Sequence, residues 1–462
     1  VPLSFADRFD KAFRALLPSP FSIAIILTAI TLVVAWIFTA PTDQSTFAYG
    51  IDLLGFWQKG IWDPPMLVFA MQMMLMLVLG HTLALAPAVD RFISHLTSFA
   101  TDTATAAASV AFFSMLTGLF NWGLGLIFGA VMARKVAENA VKKGIPIHYP
   151  LVGAAGFLGM LIFHSGLSAS APVKANEPGH IAGLMAGIDY PHPLPDSVPM
   201  EATIFSPMNM TCVALMLILL TALVYRMGKS VAPKPIHLKH ALVEEEETLS
   251  QHGAERLDTA RYFGKIVGLI VLLYAVWMAT GLNTKGGLSF LTPDYINTVL
   301  FGLCMLLHTN VTKFSRAMQE AILDVGGIII QYPLYFGIMG IMRSSGLVQM
   351  IADFFAQIST TGTFPIFTFL SSALINIFVP SGGGQWSLQA PVLIEASRQL
   401  EVPLSKSIMA LAYGDQLTNM MQPLWALPLL GITGLKAKEV LPYTLLIMLA
   451  AAVIFFSILM LF

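Results

Sequence analysis

The sequence predicts an all-α polytopic membrane protein, an inverted repeat with two opposed re-entrant helical hairpins and two broken transmembrane helices. Three observations predict it: too little charge for a soluble surface, charge-free intervals of spanning length, and a steady offset between the halves. Of 462 residues only 11% are charged and 56% are hydrophobic, whereas a soluble domain carries about 25% charge. A net charge of −1 leaves no basic surplus for nucleic acid. Cys212 and Cys304 both lie in apolar runs, so no disulfide framework is expected. No cleavable secretory signal is expected either.

The elements follow from the charge-free intervals. Leu16–Thr42, Pro64–Val89, Gly144–Val173, Ala202–Tyr225, Ile266–Thr284, Tyr295–Thr312, Val325–Met342, Gln416–Leu435 and Val440–Phe462 lack Asp, Glu, Lys and Arg. About 20 apolar residues cross a bilayer, so most hold one crossing. Thr103–Ala133 and Phe354–Ile394 are too long for one crossing and too short for two. Each has a glycine-bearing break near its middle, at Phe120–Gly125 and Pro380–Gln385. Helix, break and returning helix make a re-entrant hairpin, whose irregular backbone survives only against protein or water. Orientation follows the Lys/Arg bias. Arg8, Lys11 and Arg14 place the N-terminus in the cytoplasm, as do Arg134, Lys135, Lys142 and Lys143 for the loop after the first hairpin. The second hairpin then opens to the outside. Residues 229–262, with Glu244–Glu247, read as a solvated cytoplasmic linker.

The halves match at a constant offset. Leu116–Phe120 parallels Leu374–Phe378, Gly144–Pro146 parallels Glu401–Pro403, and Ala154–Pro172 parallels Ala410–Pro428. Gln72 and Gln331 precede the two tips by 48 and 47 residues, and the offset stays within 256 to 259. Hairpins opening to opposite sides make the repeat an inverted one. Such repeats place substrate and coupling ion at midplane broken helices in secondary transporters. Channels carry them too.

Four broken segments converge in this reading: the two tips, His164–Ser168 and Asn419–Pro423. Exposed N–H groups of half-helices suit an anion, and freed carbonyls suit a hard cation. None of the four contains Arg or Lys, so an anion would be held by neutral donors and a co-bound cation. Ser381, Gly382, Gly383 and Gly384 let backbone approach a ligand, and Gln385 and Trp386 follow with a donor and an apolar wall. Asn121 is the polar atom of the first tip, as ligand contact or helix cap. Asp415, with Asn419 on the same helical face, could bind Na⁺ or carry H⁺, or bond across helices. His164 could shuttle a proton, donate to a carboxylate or bond backbone. Gln72 and Gln331 read as interhelix hydrogen bonds. His180 and His192 show no metal-ligand spacing, and the Met71–Met76 run reads as packing. No catalytic or nucleotide motif occurs, and Ser168 with His164 is a loose nucleophile–base match on a broken helix. The protein is therefore not expected to be an enzyme, and no cofactor is expected beyond a coupling ion.

The segments Phe120–Leu126, Ser371–Trp386 and Ala412–Pro428 resemble the bacterial short-chain fatty acid transporter family, with similarity from about Phe13 to the C-terminus. The resemblance implies uptake of small monocarboxylates such as butyrate or acetoacetate across the cytoplasmic membrane. In hairpin layout that family is similar to the ion transporter superfamily of citrate and dicarboxylate carriers, commonly dimers with a fixed scaffold and a sliding transport domain. By position, Asn121 and Gly123 fall on the first tip, Ser381–Gly384 on the second, and Ser165, Asn419 and Gln422 on the unwound helices. The Ser-Asn-Thr pattern of the dicarboxylate carriers is replaced here by Phe120-Asn121-Trp122, and bulky Trp122 suits an acyl tail.

The expectation is thus a cation-coupled elevator transporter in a homodimer, in contact with lipid and a small carboxylate. The scaffold would comprise residues 13–98 and 200–322, the transport unit 99–199 and 323–440, with 441–462 a final transmembrane helix. The substrate would sit at Asn121 and Ser381–Gln385, with Trp122, Trp386 and Trp425 walling its tail, and Asp415 and Asn419 would manage Na⁺ or H⁺. The alternatives are a passive anion channel or pore and a dicarboxylate or citrate-type carrier.

Overall fold

The computed structural model describes residues 18–96, 101–185, 192–234, 253, 255–280, 290 and 292–462. The expectations placed on Arg8, Lys11 and Arg14, and on the Glu244–Glu247 run, lie outside the described residues.

The first helices among the described residues are α1 (Pro20–Phe38), α2 (Thr46–Ile61), α3 (Pro64–Ala84) and α4 (Pro87–Leu96). The next pair, α5 (Thr103–Phe120) and α6 (Trp122–Lys143), is separated by Asn121 alone. α7 (Tyr149–Gly156) passes through two tight helical turns (Leu158–Leu161 and Phe163–Ser165) to α8 (Ser170–Ala175) and α9 (His180–Leu184). α10 (Pro207–Leu215) continues through a π turn into α11 (Thr221–Ser230). The second half holds α12 (Glu255–Thr259), α13 (Phe263–Ala279), α14 (Pro293–Leu307), α15 (Val311–Ile322), α16 (Gly326–Ser344) and α17 (Leu347–Gln357). α18 (Phe364–Phe378) and α19 (Gly382–Gln399) follow, then α20 (Leu404–Thr418), a tight turn at Asn419–Met421, α21 (Pro423–Thr433) and α22 (Ala437–Leu461). No strand occurs among the described residues.

Among the described residues, five helices are long and apolar enough to cross a membrane: Pro20–Phe38, Pro64–Ala84, Thr103–Phe120, Pro207–Ser230 and Ala437–Leu461. Ile329–Ser344 and Leu347–Gln357 add a bent pair at 59°. The distribution of polarity is that of a protein solvated by lipid. α1 exposes Phe21, Ile25, Ile26 and Ile37, and α13 exposes Ile266, Ile270, Leu273 and Trp277, a contiguous apolar exterior that water would not tolerate. The polar residues lie inside instead. Every residue of α20 from Ser407 to Thr418 is buried.

α16 lies against α1, α2 and α3; α13 packs on α14, α14 on α15, and both α14 and α15 on α3. α5 packs on α6, α7 and α11, while α18 packs on α20, and α22 lies across α7 and α10. The arms α5 and α6 approach backbone to backbone: a Cβ at Gly125 would meet the Gly118 Cα at 2.5 Å. Only glycine permits that contact.

α5 begins at Asp102, whose carboxylate accepts from the Thr105 N–H at 2.9 Å and from Lys229 Nζ at 2.6 Å. The Lys229 bond and then the Thr105 N–H hold the Asp102 carboxyl down at about 2, against an ordinary 3.8. A lowered carboxylate pKa stabilises the fold above the unfolded value, and that contribution fades as pH falls from 3.8 toward 2. Replacing Asp102 with alanine removes the cap and is expected to cost roughly 0.5–2 kcal/mol. Asp102→Asn keeps the cap and should cost less, which thermal unfolding in detergent at neutral pH will check.

Candidate functional site

The first tip is a single non-helical residue. Asn121 ends α5, and its Oδ1 accepts from the Leu124 N–H at 3.0 Å, starting α6. The cap role expected for Asn121 is therefore the one its oxygen fills. Trp122 and Gly123 are already helical. At the second tip the break is Val379–Ser381, one turn earlier than the glycine run suggested. Gly382, Gly383 and Gly384 form the first turn of α19 rather than the loop, and the Gly384 N–H donates to Ser381 Oγ at 3.3 Å. A serine or asparagine oxygen satisfying an orphan N–H at a helix start explains why both tips carry such a residue.

Both tips and both breaks meet around His164 and Asp415. The Trp122 N–H donates to Ser168 Oγ at 2.9 Å, and the Leu167 N–H to the Leu119 carbonyl at 2.8 Å, which fastens the first tip to the first break. His164 Nδ1 accepts from the Ser170 N–H at 3.1 Å, and Nε2 faces Asp415 Oδ1 at 3.1 Å. With Nδ1 an acceptor, the imidazole proton is assigned to Nε2 and donates to the carboxylate. His164 thereby serves as a neutral donor to Asp415. The second tip rests on the same ring, since a Cβ at Gly382 would lie 2.6 Å from His164 Cε1. Gln416 accepts from the His164 N–H at 2.9 Å and donates to Ser165 Oγ at 3.2 Å.

Asn376, on the last turn of α18, is the hub of the second half. Its Nδ2 donates to the Asp415 carbonyl at 2.6 Å, Thr418 Oγ1 at 3.0 Å and Asn419 Oδ1 at 2.9 Å. Gln422 Nε2 donates back to the Asn376 carbonyl at 2.6 Å. Gln385 ties the hairpin arms, donating to the Ser372 carbonyl at 2.9 Å and to Gln389 Oε1 at 2.8 Å. Once these bonds are made, Asn376 Oδ1, Gln385 Oε1, Asp415 Oδ2 and Gln422 Oε1 remain buried without a partner. Buried polar atoms are ordinarily satisfied. These four are all acceptors, the chemistry a proton or a hard cation completes.

An aromatic cluster adjoins the first tip. Trp122 and Trp425 meet edge to face at 5.5 Å, and Phe69 lies 6.1 Å from each. Tyr332 stacks beside Phe69 at 6.4 Å. Trp425 Nε1 and Tyr332 Oη are buried and unpartnered. Of Trp122, Trp386 and Trp425, expected together as a wall, the first and third are in contact. Trp386 sits in a separate cluster, its Nε1 donating to His180 Nε2 at 3.1 Å. Gln72 makes the interhelix bond expected of it, to Asp294 at 2.8 Å. Sequence reasoning overlooked Asn376, Gln416 and Tyr332; an asparagine in the apolar run Leu374–Phe378 was the available signal.

An all-helical chain with an apolar exterior and a buried polar centre between broken helices is a multi-pass membrane protein. The chain belongs to the short chain fatty acid transporter family, whose model matches residues 6–462. A Haemophilus influenzae protein is 33% identical over 98% of both chains, and an Escherichia coli protein is 35% identical over 98% of this chain and 97% of its own. Both are named as candidate short-chain fatty acid transporters. Among solved structures, Neisseria gonorrhoeae MtrF, titled as illuminating a class of antimetabolite efflux pumps, aligns with 16% identity and a TM-score of 0.41, covering 98% of this chain and 97% of its own. The Alcanivorax borkumensis YdaH transporter aligns with 17% identity and a TM-score of 0.41, covering 95% and 97%.

Proposed function

We propose that the protein is a secondary active transporter that carries short-chain fatty acids across the cytoplasmic membrane, coupled to Na⁺ or H⁺. The observation that carries this reading is the unpartnered Oδ2 of buried Asp415, where the second tip and both breaks meet. An uncompensated carboxylate in a membrane interior is costly, and such groups mark ion pathways. A single cation or proton discharges it, with Asn376, Asn419 and Gln422 as neighbouring oxygen donors. The carboxylate of the substrate then lies near Asn121 and the Ser381–Gln385 turn, with Trp425 Nε1 as a free donor. Its acyl chain lies against Trp122, Trp425 and Phe69.

In this reading the halves are inverted repeats, their hairpins re-enter from opposite faces, and the N-terminus is cytoplasmic. The group containing α5 to α8, α10, α11 and α18 to α22 slides as an elevator against α1 to α3 and α13 to α16 in a homodimer. This division moves α10–α11 to the transport unit and α16 to the scaffold, because α11 packs on α5 while α16 packs on α1 and α2. Radiolabelled butyrate uptake into proteoliposomes, with Na⁺ and pH gradients imposed one at a time, tests the proposal. Accumulation above equilibrium under one of them is expected. Flux that only ever follows the butyrate gradient would indicate a passive pore.

A further inference from the structure

A cavity of about 380 Å³ opens beside the second tip, within the roughly 300–1,000 Å³ range of small-molecule sites. Gly384 and Ser387 of α19 form part of its floor, and Phe56, Met66 and Leu388 supply apolar wall. Lys59, Arg343 and Asp63 also line it. Lys59 closes the last turn of α2 and Arg343 that of α16. The two helices cross next to these residues, where a Cβ at Gly60 would meet the Gly340 Cα at 2.9 Å. Both cations are exposed, and neither is ion-paired among the described residues. Asp63 precedes α3 and makes no side-chain bond to that helix. Two cations therefore face one carboxylate in a pocket that ends on the tip.

We propose that this cavity is an antechamber in which Lys59 and Arg343 capture the carboxylate of a short monocarboxylate before it reaches the second tip. The proposal rests on the transport reading above and adds a second, peripheral anion site to it. The four broken segments carry no Arg or Lys, so electrostatic attraction has to act outside them. A cleft with a net positive charge raises the local concentration of anions, and two cations against Asp63 leave this one net positive. Screening limits that effect to about 8 Å at physiological salt, which is why the cations must border the tip itself. The apolar wall accommodates the acyl chain while the charges hold the head.

The test is the concentration dependence of butyrate uptake in oriented proteoliposomes. Lys59→Gln and Arg343→Gln should each raise KM by about two- to fivefold, the range for an exposed charge pair, with the maximal rate unchanged. Lys59→Arg should restore the wild-type KM, and Asp63→Asn should lower it. The wild-type KM should rise with ionic strength, and that of the double variant should not. Substrate supplied from the opposite face should show none of these effects. An anionic lipid headgroup shares the carboxylate's charge, so the series is repeated in vesicles of phosphatidylcholine alone, whose headgroups carry no net charge. A KM effect that disappears there assigns the cations to lipid and overturns the proposal. Variants that transport with an unchanged KM overturn it alone, whereas a wild-type protein that moves no butyrate overturns the transport reading with it.

Discussion

Replacing Asp415 with asparagine is expected to abolish gradient-driven accumulation of butyrate while leaving the protein folded. Asparagine keeps an oxygen to accept from His164 Nε2, now 3.1 Å from Asp415 Oδ1, so the packing of α20 survives. What disappears is the charge behind the unpartnered Oδ2. A hydrogen bond to a charged group contributes roughly 1.5–3 kcal/mol, so affinity for the coupling ion should fall about ten- to a hundredfold. Asp415→Ala is a poorer probe, because it strands the His164 N–H in a buried site and confounds folding with function. The measurement is uptake under an imposed cation gradient compared with equilibrium exchange. A variant that accumulates butyrate as the wild type does would remove Asp415 from the coupling step.

The reason Asp415 was legible at all is that charge is rare in this chain. In a soluble protein a lone aspartate in a helix carries no information, whereas inside a charge-free interval its cost singles it out. The same argument placed a break in each of the two long intervals, since an interval too long for one crossing demands one. It could not pair His164 with Asp415, because they lie 251 residues apart and no local pattern relates them. It also misplaced the second tip. Glycines are poor helix formers, so Gly382–Gly384 read as loop, yet the Ser381 cap and the packing of α19 hold them in its first turn. Asn376 stands between Ile375 and Ile377 in an apolar run, where no local pattern announces its partners. Its three hydrogen bonds show how one amide can organise a break in the next helix, a role visible only once α18 is laid beside α20.

The consecutive glycines of the second tip are expected to answer very differently to the same substitution. At Gly382 a methyl group would lie 2.6 Å from His164 Cε1, 2.7 Å from His164 Nε2 and 2.8 Å from Ser170 Oγ. The ring has no freedom to retreat, being held by the Ser170 N–H on one nitrogen and by Asp415 on the other. The tip must withdraw instead, separating α19 from the break that carries His164. Misplacement of a functional group by about 1 Å can cost a hundredfold in rate, and Gly382→Ala should lower uptake by about tenfold or more. At Gly383 a Cβ meets nothing within 4 Å, and alanine in a helix is favoured over glycine by roughly 0.5–1 kcal/mol. Gly383→Ala should therefore keep its transport and unfold slightly later. Initial uptake rates and thermal unfolding of the purified variants decide the matter. Equal activity in the two would mean that contact between the second tip and His164 plays no part in the transport cycle.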